Sequence, residues 1–94
     1  MPRLTRAIGK KKGYIVNEAL VIRVKEGYTG EAIEKLARFE NALEALMVSQ
    51  TEVSEELERL RSEDKTKSVR FKELMVKKMT NATMIAYFKS RGLE

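Results

Sequence analysis

Residues 29–62 read TGEAIEKLARFENALEALMVSQTEVSEELERLRS, and this stretch decides the fold. It is rich in Ala, Leu, Glu and Lys, and neither Pro nor Gly recurs after Gly30 until Gly92. Thr29 is placed to act as N-cap, with Glu31 close to the positive end of the helix dipole. Apolar residues fall at Leu36, Phe39, Leu43, Leu46, Val53, Leu57 and Leu60. With Gln50 included, they alternate by three and four, the a/d spacing of a coiled coil. Glu31/Lys35, Glu34/Arg38 and Glu55/Arg59 add i,i+4 pairs in the favourable order. The spacing predicts one helix over about 30–62.

Such a helix is roughly 50 Å long at 1.5 Å per residue. A compact domain of this chain length is only about 30 Å across. The helix must therefore pair, either with the same helix of another copy or with the C-terminal segment folded back as a hairpin. The homodimer is the favoured reading, with Leu36, Phe39, Leu43, Leu46, Gln50, Val53, Leu57 and Leu60 at the interface and Gln50 setting the register. Ser49-Gln50-Thr51-Glu52 is a capping-box pattern that would split the helix into 30–47 and 50–62. The unbroken heptad phase favours continuity. Ala42 to Val48 is apolar nearly all round, which predicts enclosure there by more than one neighbour.

The β-branched run from Tyr14 to Val24 predicts a short strand, in the region 14–25, as that cover. Beyond the polar stretch Ser62 to Ser68, apolar stripes predict helices at about 66–79 and 82–91, with a turn at Thr80-Asn81. Gly92 followed by Leu93 predicts a Schellman cap. The fold class is thus mainly α, a long amphipathic helix with shorter C-terminal helices and a short N-terminal strand. Residues 1–13 form a flexible basic arm ahead of one helical domain, 14–94.

Charge is segregated. The 94 residues carry 19 Lys+Arg and 14 Asp+Glu, a net charge of +5. Residues 1–12 hold five bases and no acid, residues 30–64 ten acids and four bases, and residues 65–94 eight bases and two acids. Two basic ends therefore flank an acidic centre. Either they balance that centre, or they meet a polyanion.

Composition excludes much chemistry. The chain has no His, Cys or Trp, which removes disulfides, thiolate chemistry, Cys/His zinc sites and His-based catalysis. Glu52, Glu55, Glu56 and Glu58 lack the His that helical dimetal sites add. Gly9-Lys10-Lys11-Lys12-Gly13 departs from the phosphate-loop pattern. The expectation is a protein that is not an enzyme and holds no metal or cofactor. No apolar run reaches membrane-spanning length, and Lys10–Lys12 stand where a signal peptide would turn apolar. A cytoplasmic protein without membrane contact is expected.

The binding residues expected are Arg3, Arg6, Lys10, Lys11 and Lys12 in the arm, with Lys65, Lys67, Arg70, Lys72 and Lys77 in the C-terminal block. Spaced arginines, a lysine triplet and flexible glycines suit phosphates or a minor groove. The cluster from Lys65 to Lys72 crowds a helix start, where a phosphate would meet both the helix end and the cations.

Two resemblances point the same way. Residues 70–92, with the turn Thr80-Asn81-Ala82 and the run Thr83 to Gly92, resemble the second half of a helix-turn-helix. That resemblance implies that Asn81, Thr83, Tyr87 and Ser90 face DNA. A strand at 19–25 before helices at 30–47 and 50–62 is similar in order to a ribbon-helix-helix repressor, which implies Val21, Arg23 and Lys25 as the reading face. The resulting expectation is a dimeric nucleic-acid-binding regulatory or accessory protein, DNA ahead of RNA. The alternative is an interaction adaptor that uses its helical surface to hold a protein partner.

Overall fold

A computed structural model describes residues 2–10 and 13–93. In chain order come strands β1 (Thr5–Ala7) and β2 (Tyr14–Val16), a 3₁₀ turn (Glu18–Leu20), strands β3 (Ile22–Val24) and β4 (Gly27–Thr29), and helices α1 (Glu31–Ser62) and α2 (Val69–Ser90). The chain is mostly helical, with small antiparallel strands ahead of the helices. It divides into two compact units, residues 1–41 and 42–94.

The first unit holds two hairpins and the opening turns of α1. β1 pairs with β2 in the register Thr5↔Val16, Arg6↔Ile15 and Ala7↔Tyr14, and the Ile8 N–H donates to the Gly13 carbonyl at 3.0 Å. β3 pairs with β4 in the register Ile22↔Thr29, Arg23↔Tyr28 and Val24↔Gly27. The expected free arm at 1–13 thus contains a paired strand. The single strand expected at 14–25 is broken in two. Asn17 interrupts it: its side-chain oxygen accepts from the Ala19 N–H at 2.9 Å and caps the 3₁₀ turn, a local bond that competes with strand pairing.

Gly30 makes the entry to α1 feasible. The Glu34 N–H donates to its carbonyl at 3.0 Å, which makes Gly30 rather than Thr29 the N-cap. Its φ of +119° lies where only glycine rests easily. A Cβ at Gly30 would meet the Leu20 carbonyl group, 2.9 Å from its carbon, and the Val21 Cα at 3.1 Å. Lys35 Nζ, in the first turns of α1, donates to the Pro2 carbonyl at 2.7 Å.

The second unit is an antiparallel helical hairpin. α1 runs unbroken through Ser49, so the capping-box pattern does not split it. The Ser49 hydroxyl accepts from Asn81 Nδ2 at 3.2 Å, and Thr51 Oγ1 bonds back to the Met47 carbonyl. α2 runs unbroken through Thr80-Asn81, where the sequence predicts a turn between two helices. Thr80 and Thr83 donate to the Val76 and Met79 carbonyls at 3.0 Å, and Asn81 is buried against α1. Short polar side chains satisfied in this way do not break a helix.

Val53, Leu57 and Leu60 of α1 are buried with Leu74 of α2, and Phe71 and Met75 pack against them. Gln50 Nε2 donates to the Lys78 carbonyl at 3.0 Å. Gln50 and Asn81 therefore hold the register of the two helices, since a one-turn slip would leave buried amides unpaired. Met47 and Val48 are exposed, so the middle of α1 is not enclosed as its all-round apolar character predicts.

Both helices end in Schellman motifs. The Gly92 and Leu93 N–H groups donate to the Lys89 and Phe88 carbonyls at 3.0 and 2.9 Å, as the sequence predicts. After α1, the Asp64 and Lys65 N–H groups donate to the Arg61 and Leu60 carbonyls at 3.1 and 2.8 Å. There the left-handed position is Asp64, at φ +57°.

Two substitutions test this account. Gly30→Ala forces a Cβ against backbone and should destabilise the chain by about 1–3 kcal/mol in urea denaturation. Asp64→Gly relieves a left-handed non-glycine residue and should stabilise it by about 0.5–1 kcal/mol in the same assay. An unchanged midpoint for either would contradict the geometry.

Candidate nucleic-acid interface

The strand pairing of the first unit sets arginines beside tyrosines. The Arg3 guanidinium lies 5.5 Å from the centre of the Tyr14 ring, and that of Arg23 lies 5.9 Å from the Tyr28 ring. Both rings are open to solvent, Tyr14 at 65% and Tyr28 at 59% of full exposure. Arg3 Nε also donates to Thr5 Oγ1 at 3.2 Å, which steadies its position. Arg6 sits opposite Ile15, on the other face of its hairpin. Lys10 is exposed in the connecting loop, while Lys11 and Lys12 lie outside the described residues.

Among the described residues, every ion pair falls between Glu56 and Lys65: Arg59 with Glu56 and Glu63, Arg61 with Glu58 at 2.6 Å, and Lys65 with Glu63 at 3.0 Å. None involves a cation of the hairpins. Glu56 and Glu58 of the Glu cluster are thereby engaged with arginines one turn away, and no group of three acidic residues gathers for a metal among the described residues.

The C-terminal basic block is arranged differently. Lys65 is paired, as above. Arg70 and Lys77 line a cleft of about 240 Å³ together with Ser49, Glu52 and Glu56. Ser68 caps α2 by accepting from the Phe71 N–H at 3.1 Å, so a side chain already occupies the end proposed for a phosphate. Lys67 lies exposed in the turn and Lys72 exposed on α2. The continuous α2 removes the turn on which the helix-turn-helix resemblance rests. Asn81, which that resemblance turns toward DNA, is buried against α1. Thr83 bonds back to its own helix, and Tyr87 stacks edge-on with Phe88 and lies under Arg91 at 5.4 Å. The unbroken α1 likewise removes the second helix of the ribbon-helix-helix order, although Arg23 and Lys25 remain exposed on a hairpin.

The heptad residues part company. Val53, Leu57 and Leu60, expected between two copies, are covered by α2 of the same chain. Leu43, Leu46 and Gln50 are half-buried. Leu36 and Phe39 are about half-exposed and line a cleft of about 580 Å³ with Leu4, Val16, Val21 and Ile33, rimmed by Arg3 and Lys35.

Tyr14 and Tyr28 are absent from the residues the sequence singles out. The signal for the second was the turn Lys25-Glu26-Gly27, which joins β3 to β4 and sets Tyr28 opposite Arg23.

Two carboxylates of the second unit, Glu56 and Glu63, are held by neighbouring cations. Hydrogen bonding to Arg59 holds the Glu56 carboxyl below its ordinary range. Lys65, and then Arg59, do the same for Glu63. A carboxyl held low in the folded state stabilises it above the unfolded range, and that contribution fades as pH falls through the folded value. Arg59→Ala should return Glu56 toward the ordinary carboxylate range and Glu63 by less, read by NMR titration. Equal shifts, or none, would contradict this arrangement.

No family model matches the chain, and no curated protein or solved structure matches it.

Proposed function

We propose that this chain binds nucleic acid, DNA ahead of RNA, as a non-enzymatic regulatory or accessory protein that acts as a cytoplasmic dimer. The observation that carries the reading is the cationic, aromatic character of the hairpins. Residues 1–29 hold seven bases against two acids, with Arg3 over Tyr14 and Arg23 over Tyr28 on exposed rings. A two-stranded ribbon fits a major groove, and exposed Tyr beside Arg offers stacking and phosphate contact together. Arg6, Arg23 and Lys25 are the residues expected to meet phosphate, with Tyr14 and Tyr28 meeting bases or sugars. Arg70 and Lys65, set beside carboxylates, are expected to contribute less.

A protein partner is the second reading, favoured by the apolar cleft at Leu36 and Phe39. Removing residues 1–12 does not separate the two readings, because it takes away β1 and one wall of that cleft. Point substitutions do.

Affinity for a short DNA duplex, measured by fluorescence anisotropy, should fall steeply as salt rises. Arg6→Ala, Arg23→Ala and Lys25→Ala should each lower the salt slope by about one, while Tyr28→Ala should weaken binding with the slope kept. Phe39→Ala should leave affinity unchanged. Absence of binding at low salt, or binding insensitive to salt, would overturn the proposal.

A further inference from the structure

We infer that two copies of residues 42–94 pack face to face as an antiparallel four-helix bundle, through the side of the helical hairpin that carries Leu43, Met47, Ser54, Met75, Met79 and Ala82. This concerns a surface distinct from the nucleic-acid reading and does not depend on it.

The first argument is the size of the core. Among the described residues of this unit, the buried apolar side chains are Val53, Leu57, Leu60 and Leu74. A unit of about fifty residues ordinarily needs more apolar burial than that, or a staple or partner in its place. The chain has no cysteine to supply a disulfide.

The second argument is the chemistry of the two flanks beside the α1–α2 seam. One flank is polar, with Glu52 and Glu56 of α1 and Arg70 and Lys77 of α2 around the small cleft. The other is marked at its end by Arg61, whose guanidinium lies over the Phe71 ring at 5.4 Å and reaches Met75 Sδ at 4.0 Å. Helical spacing extends this flank along Leu43, Met47, Gln50 and Ser54 on α1, and along Met75, Met79, Ala82 and Ala86 on α2. None of these residues is charged. Met79 is 66% exposed and Met47 45% exposed. On the same line, Gln50 Oε1 is buried and accepts no hydrogen bond among the described residues. A polar atom in that position ordinarily has a donor.

Charge identifies the occupant as a second copy. Residues 42–62 hold five Glu and two Arg, a net charge of −3, whereas α2 holds five Lys or Arg and one Glu, a net charge of +4. A two-fold axis along the bundle sets each basic α2 beside the acidic α1 of the other copy, antiparallel to it as within one chain. A two-fold axis across the bundle would set α2 against α2, basic against basic, which is disfavoured. The surface is therefore self-complementary in one arrangement.

The full chain, without nucleic acid, should run in multi-angle light scattering at twice its 10.8 kDa. Met79→Glu should return it to the monomer mass with helical circular dichroism retained. Ser49 meets Asn81 across the hairpin, so Met47 lies nearly level with Ala82. Single variants Met47→Cys and Ala82→Cys, mixed and oxidised, should give mainly the mixed disulfide dimer, with little from either alone. A monomer at about 100 μM, a Met79→Glu variant that stays dimeric, or a dominant Ala82→Cys self-dimer would each overturn the inference. The first outcome would leave the surface to a different protein, and none bears on whether the hairpins bind DNA.

Discussion

Everything in the helical half follows from the contact of Val53, Leu57 and Leu60 with Leu74. That contact places the heptad seam of α1 inside the chain. The heptad residues Val53, Leu57 and Leu60 are therefore used on α2, and any association between copies of the hairpin has to use another side of it. The polar layer enforces the choice. Gln50 bonded to the Lys78 carbonyl and Asn81 bonded to Ser49 fit one register only, because buried amides without partners are costly. The seam consequently combines a small apolar core, which supplies attraction, with two amides that supply specificity.

The same folding-back redistributes the charge. The acidic centre and the basic C-terminal block follow one another in the sequence, and the hairpin sets part of them side by side. Arg70 and Lys77 of α2 share a cleft with Glu52 and Glu56 of α1, while Lys65 pairs with Glu63 within the turn. The Lys65–Glu63 pair is exposed and adds little stability, and Lys67 and Lys72 stay exposed outside any ion pair among the described residues. The block at the other end forms no ion pair among the described residues, and its Arg3 lies over the Tyr14 ring, as Arg23 lies over Tyr28 in the second hairpin. Both basic ends therefore keep cations open to an external anion, but the C-terminal one shares part of its charge with neighbouring carboxylates.

Legibility in the sequence followed the range of the signal. The heptad residues of α1 and the Gly92-Leu93 ending are local and periodic, and both were readable. Thr80 and Asn81 read as a break that the structure lacks, and at Ser49 only the heptad phase outweighed a capping-box pattern, because whether a short polar side chain ends a helix depends on a partner that is distant in sequence. Asn81 and Ser49 are each other's partner, 32 residues apart. Asp64 hid a Schellman turn because aspartate seldom takes the left-handed conformation that glycine advertises. The strands of three residues are too short to show alternation. The candidate site was legible as charge, in Arg3, Arg6 and Lys10, but not as geometry, because the Arg–Tyr pairings need the hairpin registers.

Those hairpins also bind charge to architecture. A two-stranded hairpin alone is marginal in water, and here all three positions of β1, β3 and β4 are exposed. Order in the first unit must come from its attachments. Lys35 holds Pro2 by its carbonyl, Gly30 lets the backbone close against Leu20, and Val16 and Val21 face Ile33 and Leu36 across the apolar cleft. A basic segment tied down in this way presents its guanidinium groups at fixed spacing. A loose tail would lose side-chain and backbone entropy on meeting an anion. Fixed cations have already met part of that cost in folding, and their spacing can then discriminate between anions of different geometry.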